Sequence, residues 1–249
     1  MHPSTRGKDQ LETKLLVKVS AIVVAAGSGS RLGYRQPKAF VELAARPLLY
    51  YSLRTIREVV PIAEVIVTLP SGKEEDARAA VDQAGLRVPV KLTPGGAERQ
   101  DSVRIAVSLV SADSAMVLVH DAARPFAEAA LFHACIEAGF RSGGAIAAIP
   151  VADTLKEVTQ GVIIATRPRN GLFAAQTPQA FRRELLVAGH TEGAAPLPAT
   201  DDAFLLERMG KPVEIVAGSA LNFKITTPED LRLARALLAS DALLASQFD

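Results

Sequence analysis

The sequence predicts an α/β fold: a mainly parallel β-sheet flanked by helices, with one β-arm projecting from it. Three observations carry this expectation. Short β-branched runs alternate with stretches of helical length along most of the chain, the pattern of right-handed βαβ units. The strand-like runs are apolar at consecutive positions, as strands covered on both faces are. Residues 151–176 break the alternation and read as a hairpin.

Each element follows in order. Residues 19–26 form a β-branched strand ended by Gly27. A helix over 47–59 has Pro47 near its first turn, where a missing N–H costs nothing. A strand over 64–69 stops at Pro70 and Gly72. The helix over 74–84 ends at Gly85, a residue suited to the left-handed C-cap. Strands are expected at 89–93, 115–120 and 144–150, with helices at 98–110 and 128–140 between them. The hairpin turns at Gln160-Gly161 and projects, because nothing in a βαβ sheet requires it. Beyond it come a helix near Phe181, a helix over 201–209, a strand at 213–216 and a last helix from Pro228. Roughly the first 18 residues read as a flexible leader, and residues 19–249 as one domain that includes the arm.

Composition narrows the function. The net charge of +1 provides no global basic field, and aromatics at 5% leave little to stack bases on, so nucleic acid is not an expected partner. No apolar stretch is long enough to span a bilayer and the first ten residues are polar, so no membrane partner is expected and the cytoplasm is the expected location. One cysteine, Cys135, excludes an internal disulfide and a multi-cysteine zinc site; it sits in an apolar helical run. The four histidines have no metal-ligand spacing.

The segment after the first strand, Ala25-Ala26-Gly27-Ser28-Gly29-Ser30-Arg31-Leu32-Gly33, is suited to an anion. Glycines let backbone N–H groups approach phosphate oxygens without a Cβ between them. Arg31 and Lys38 add cations that could follow charge as it moves to a leaving group. The alternative is a tight turn with both cations on the surface. The glycine spacing misses the dinucleotide fingerprint, whose third glycine would fall at Leu32, and no G-K-[ST] closes a Walker loop.

In an open α/β sheet, ligands bind beyond the carboxyl ends of the strands. Asp121 emerges from such an end and is a candidate Mg²⁺ ligand, since magnesium takes a few carboxylate oxygens plus substrate phosphates. It reads equally as a turn or N-cap residue. Arg124 could reach an acceptor phosphate or pair with a carboxylate. A phosphate monoester is already ionised at neutral pH, so His120 is assigned a structural role and not that of a base.

Taken together the motifs resemble the 2-C-methyl-D-erythritol 4-phosphate cytidylyltransferase family. They are A-A-G-S-G-S-R with Pro37-Lys38, G-G-A-E-R-Q-D-S at Gly95 to Ser102, and H-D-A-A-R-P at His120 to Pro125. D-T-L-K begins at Asp153, R-N-G-L at Arg169, T-P-Q at Thr177 and N-F-K-I-T at Asn222. The resemblance implies a Rossmann-like nucleotidyltransferase (GT-A-like) sheet and transfer of CMP from CTP to a methylerythritol phosphate. It implies CTP binding by Ala25, Ala26, Gly27, Gly29, Gly96, Ser102 and Asp121, with Mg²⁺, or another divalent cation, on Asp121. Arg31, Lys38 and Lys224 would stabilise the transition state. Arg124, Thr154, Arg169 and Thr177 would serve the acceptor, Thr154 and Arg169 reaching a second subunit's site from an arm that joins a homodimer. Ala97 stands where the family often has Asp. No Asp-x-His motif follows, so only the transferase activity is expected. Ribitol 5-phosphate cytidylyltransferases have similar motifs; Ala122-Ala123 and Arg169-Asn170-Gly171 favour the methylerythritol enzyme. A nucleotide-dependent oxidoreductase and a non-catalytic nucleotide-binding protein are the more remote alternatives.

Overall fold

The computed structural model describes residues 17–29, 32–34, 36–192 and 199–240. The leader up to residue 16 and the tail after 240 lie outside them. The chain begins its fold with strand β1, Val19–Val24. A short 3-10 turn at Lys38–Phe40 and a two-residue ribbon, β2 (Glu42–Leu43) with β3 (Arg46–Pro47), lead to helix α1, Leu48–Arg57. Then come β4 (Ile62–Leu69), α2 (Glu74–Ala84), β5 (Val90–Pro94), α3 (Arg99–Ser108), β6 (Met116–Asp121), α4 (Ala129–Ser142) and β7 (Gly144–Pro150). The arm is β8 (Leu155–Thr159) and β9 (Val162–Arg167). The chain closes with β10 (Phe173–Arg182), α5 (Arg183–Glu192), α6 (Ala203–Arg208), β11 (Glu214–Ala217) and α7 (Pro228–Ser240).

Seven strands form one sheet in the order β11-β7-β10-β6-β1-β4-β5. Alternate side chains of each strand feed opposite faces. Val19, Ala21 and Val23 pack with α1, α2, α4 and α7, whereas Ile22 packs with α3, α5 and α6. Both faces of β1 are therefore covered, which explains why the strand is apolar at every position but Ser20, whose buried hydroxyl meets Glu64 and Ser114. Helices α1 and α2 lie on one face. Helix α3 crosses on the other, so the chain reverses its winding between β1 and β6. That reversal opens a crevice beyond the ends of β1 and β6. In register, Val24 lies opposite Asp121.

Two expectations are corrected. The helix near Phe181 begins only at Arg183, because Phe181 is still in β10 and fully buried under α5 and α6. Strand β10 itself has no counterpart in the sequence reading; it runs antiparallel to both β6 and β7. Its sequence lacks a β-branched run and contains Pro178, which cannot donate to a ladder. The break in its pairing with β7, between Ala175 and Gln179, falls around that proline.

The arm pairs only with itself, turning at Gln160-Gly161 as expected. Val158, Val162, Ile163 and Ile164 on it are more than half exposed. Among the described residues no helix is long and apolar enough to cross a membrane.

Candidate active site

A cleft of about 240 Å³ lies at the β1/β6 crevice. It is lined by the loop after β1 (Ala25, Ala26, Gly27), by Lys38, by the segment from Gly96 to Arg99 with Ser102, by Asp121, and by Lys224. Eight of the residues singled out from sequence thus share one cavity: Ala25, Ala26, Gly27, Lys38, Gly96, Ser102, Asp121 and Lys224. Arg31 lies outside the described residues. Gly29 stands behind the cleft with φ at +69°, and a Cβ there would fall 2.6 Å from the Cβ of Lys38. Its lack of a side chain is what lets Lys38 come in under the loop.

The loop after β5 is held to α3 by one hydroxyl. Ser102 Oγ accepts from the Gly96 N–H at 3.0 Å and donates to the Glu98 carbonyl at 3.2 Å. The Glu98 N–H is in turn met by Asp101 Oδ2 at 3.3 Å, the reciprocal half of a capping box. Ser102 is 2% exposed and fixes the loop to the N-terminus of α3, whose Glu98 and Asp101 N–H groups are taken by the capping box.

Asp121 lies at the cleft's centre of charge. Its Oδ1 accepts from Arg99 Nε at 3.1 Å and its Oδ2 from Lys224 Nζ at 2.7 Å, with Arg124 Nε 4.0 Å from Oδ2. Burial alone would raise its pKa, but Arg99 and Lys224 outweigh burial, and the carboxyl is held well below the usual carboxylate range. It is ionised at neutral pH.

Beneath it lies a chain of hydrogen bonds with one consistent assignment. The Arg124 carbonyl, 3.2 Å from His120 Nε2, can only accept, so that nitrogen carries the proton. Burial pushes the His120 pKa down to about 4, leaving the ring neutral and Nδ1 an acceptor. The Thr177 hydroxyl, 3.1 Å away, therefore donates to Nδ1, while its oxygen accepts the Asp121 N–H at 3.0 Å.

Thr177 and Arg124, both expected at the acceptor, do not line this cleft. The hydroxyl of Thr177 is engaged as just described and the residue is 3% exposed. The Arg124 guanidinium donates to the carbonyls of Asn222 at 2.7 Å and Ala175 at 3.3 Å, pinning the strand before Thr177 to the segment before Lys224. Thr154 and Arg169 are exposed on the arm and absent from the cleft of their own chain. Sequence reasoning assigned no role to Arg99, whose guanidinium joins Asp121 to Asp202. Its partners lie 22 and 103 residues away, so no local spacing betrays it.

Among the described residues no group of three or more His, Cys, Asp or Glu side chains could cage a metal. A divalent ion would rest on Asp121 and otherwise on oxygens brought by a ligand. That arrangement fits magnesium, which keeps few protein ligands when it travels with phosphates. An ionised carboxylate beside several cations and a glycine-containing loop can hold a polyphosphate and a second anion side by side.

Comparison with known proteins agrees. Residues 19–240 match the 2-C-methyl-D-erythritol 4-phosphate cytidylyltransferase family. A cytidylyltransferase of that name from Pelotomaculum thermopropionicum is 40% identical over 224 residues, covering 89% of this chain and 94% of its own. One from Deinococcus radiodurans is 45% identical over 224 residues, covering 88% and 89%. The crystal structure of the enzyme from Thermus thermophilus superposes with a TM-score of 0.75 at 38% identity, over 90% of this chain and all of that one. 4-Diphosphocytidyl-2C-methyl-D-erythritol synthase from Anaerococcus prevotii gives 0.78 at 30% identity, over 90% and 99%. The chain belongs to the 2-C-methyl-D-erythritol 4-phosphate cytidylyltransferase family.

Proposed function

We propose that this protein transfers CMP from CTP to 2-C-methyl-D-erythritol 4-phosphate, giving 4-diphosphocytidyl-2-C-methyl-D-erythritol and pyrophosphate, a step of isoprenoid precursor synthesis. Beyond the family, the reading rests on one observation: Asp121 shares a cleft with Lys38, Lys224 and Arg99 beside a glycine loop. The triphosphate would lie against the loop at Ala26 and Gly27, the Ala25 N–H being taken by the Thr68 carbonyl at 2.9 Å, with Lys38 and Lys224 beside it. An acceptor phosphate oxygen would attack the α-phosphorus in line, forming a P–O bond as the α–β anhydride bond breaks and its electrons leave with pyrophosphate. The acceptor is already an anion, so no general base is needed, in keeping with a buried, neutral His120. Lys38, Lys224 and Arg31 would take up charge that grows on the transferring and leaving oxygens. A divalent ion on Asp121, when bound, would screen the repulsion between the two anions.

The arm is read as the contact with a second copy of the chain. An isolated two-stranded hairpin is marginal in water, and this one exposes Val158, Val162, Ile163 and Ile164. A partner covering them would bring Thr154 and Arg169 to the neighbour's acceptor pocket. Ile163→Asp should then dissociate the dimer in sedimentation and lower turnover.

The deciding assay follows pyrophosphate from CTP, UTP, ATP and GTP, with methylerythritol phosphate or ribitol 5-phosphate as acceptor, with and without EDTA. Turnover that requires CTP, methylerythritol phosphate and a divalent ion supports the reading. Preference for ribitol 5-phosphate overturns the acceptor assignment, and EDTA-insensitive turnover overturns the metal.

A further inference from the structure

Asp202 stands at the N-cap of α6, where a carboxylate ordinarily accepts from its own helix's first N–H groups. It makes no such bond. The neighbouring Asp201 does that work, its Oδ1 accepting from the Phe204 N–H at 3.1 Å. Asp202 is instead turned inward, 1% exposed, and its Oδ2 accepts from Arg99 Nη1 at 2.8 Å. His190 Nε2 is 3.7 Å from its other oxygen and neither ring nitrogen makes a hydrogen bond. The main interaction of this buried anion is therefore Arg99. Arg99 Nη2 is likewise buried without a partner, so the guanidinium is placed for two carboxylates and leaves its own third nitrogen unsatisfied. A buried ion pair is weak evidence for stability and better evidence for a fixed geometry.

We propose that Arg99 and Asp202 are positioning residues for the transfer reaction, Asp202 acting on Asp121 through Arg99. The planar fork of the guanidinium holds Asp121 from one side while Lys224 holds it from the other. Asp202 anchors the far end of that fork and balances part of its charge. Without Asp202, Arg99 would turn wholly onto Asp121, and the carboxylate would be less available to the divalent ion and phosphates in the cleft. Asp202 does not itself line the cleft. This inference rests on the reaction proposed above.

The test is a kinetic double-mutant cycle on the full chain with CTP, methylerythritol phosphate and magnesium, using Arg99→Gln, Asp202→Asn and the double variant. Folding is checked by thermal melting, and rates are taken per folded enzyme. Asp202→Asn should lower kcat about tenfold, the scale for outer-shell partners of a metal ligand, with the CTP KM changed by less than about threefold. The double variant should be no slower than Arg99→Gln alone, since the Asp202 carboxylate meets a residue of the cleft at Arg99. Arg99→Lys, which keeps the charge but not the fork, should also be slow. If Arg99→Gln does not fold, Arg99→Lys takes its place in the cycle. Additive losses, a normal kcat in Asp202→Asn, or a defect confined to melting temperature or to CTP KM would overturn the inference. Wild-type protein that releases no pyrophosphate from CTP would remove the functional reading, and this inference with it.

Discussion

Gly95 and Gly27 both flank the cleft region, yet the same substitution should act on them in opposite ways. A Cβ built on Gly95 falls 2.2 Å from the Cβ of Ala26 and 2.8 Å from Ser102 Oγ. Carbon atoms in contact sit about 3.5–4.0 Å apart, so Gly95→Ala must drive the β1 and β5 loops apart by roughly 1.5 Å. Ala26 has no far end that could swing away, and moving Ser102 breaks the bond that holds Gly96. Overpacking of this kind costs about 1–3 kcal/mol, or roughly 2–10 °C in melting temperature for a domain of this size. A displacement near 1 Å in a positioning loop can also cost about a hundredfold in rate. Gly27→Ala is the control, because no heavy atom stands within 4 Å of its added methyl. It should keep its stability within about 0.5 kcal/mol and raise only the CTP KM. Thermal melts and pyrophosphate-release kinetics on both variants decide the matter. A Gly95→Ala protein with the melting temperature and kcat of Gly27→Ala would refute the close-approach argument.

Other outcomes follow from the same geometry. Lys38→Ala and Lys224→Ala should each lower kcat by about 10²–10³-fold, the scale for removing one preorganised charge, with a smaller change in CTP KM; equal changes in the two, measured by initial rates, would assign them to ground-state binding. Asp121→Asn removes the anion between Arg99 and Lys224 and should destabilise the fold by about 3 kcal/mol or more in urea titrations, besides abolishing turnover. His120 ties stability to pH. Its folded pKa of about 4 lies below the ordinary value of 6.5, so the unfolded chain binds the proton first. Its contribution is complete above about pH 6.5 and is lost as pH falls towards 4, up to about 3 kcal/mol in all. Urea midpoints from about pH 7 to about pH 4.5 should fall more steeply for the wild type than for His120→Asn.

The sheet was legible where a strand is buried on both faces, because such strands are apolar at most positions. β1, β4, β6 and β7 carry runs such as Val19-Ser20-Ala21-Ile22-Val23-Val24. Helix α2 was legible to the residue, since Gly85 closes it in the left-handed region. β10 was hidden by Pro178 and by a composition of Ala, Gln and Thr that suits a strand only when both neighbours are in place. The cleft residues after Ala26 and at Asp121 were legible from the rule that α/β ligands sit past strand ends. The pairing of Arg99 with Asp202 was not, because it is made by two segments that meet only in the folded chain. Asp202 stands at the N-cap of α6 without capping it, a job Asp201 does.

The antiparallel strand β10 begins at the root of the arm and passes within four residues from open solvent to the buried interior, where the Thr177 hydroxyl meets the Asp121 N–H. That transition gives the chain a natural seam. The ladder with β7 is made on both sides of it, by Phe173 to Ala175 and again from Gln179, so the part that pairs with nothing in the main sheet is the hairpin β8–β9 alone. Exchanging the hairpin with that of a relative should therefore carry over the pairing partner together with the acceptor contacts of Thr154 and Arg169, while the nucleotide cleft stays that of the recipient.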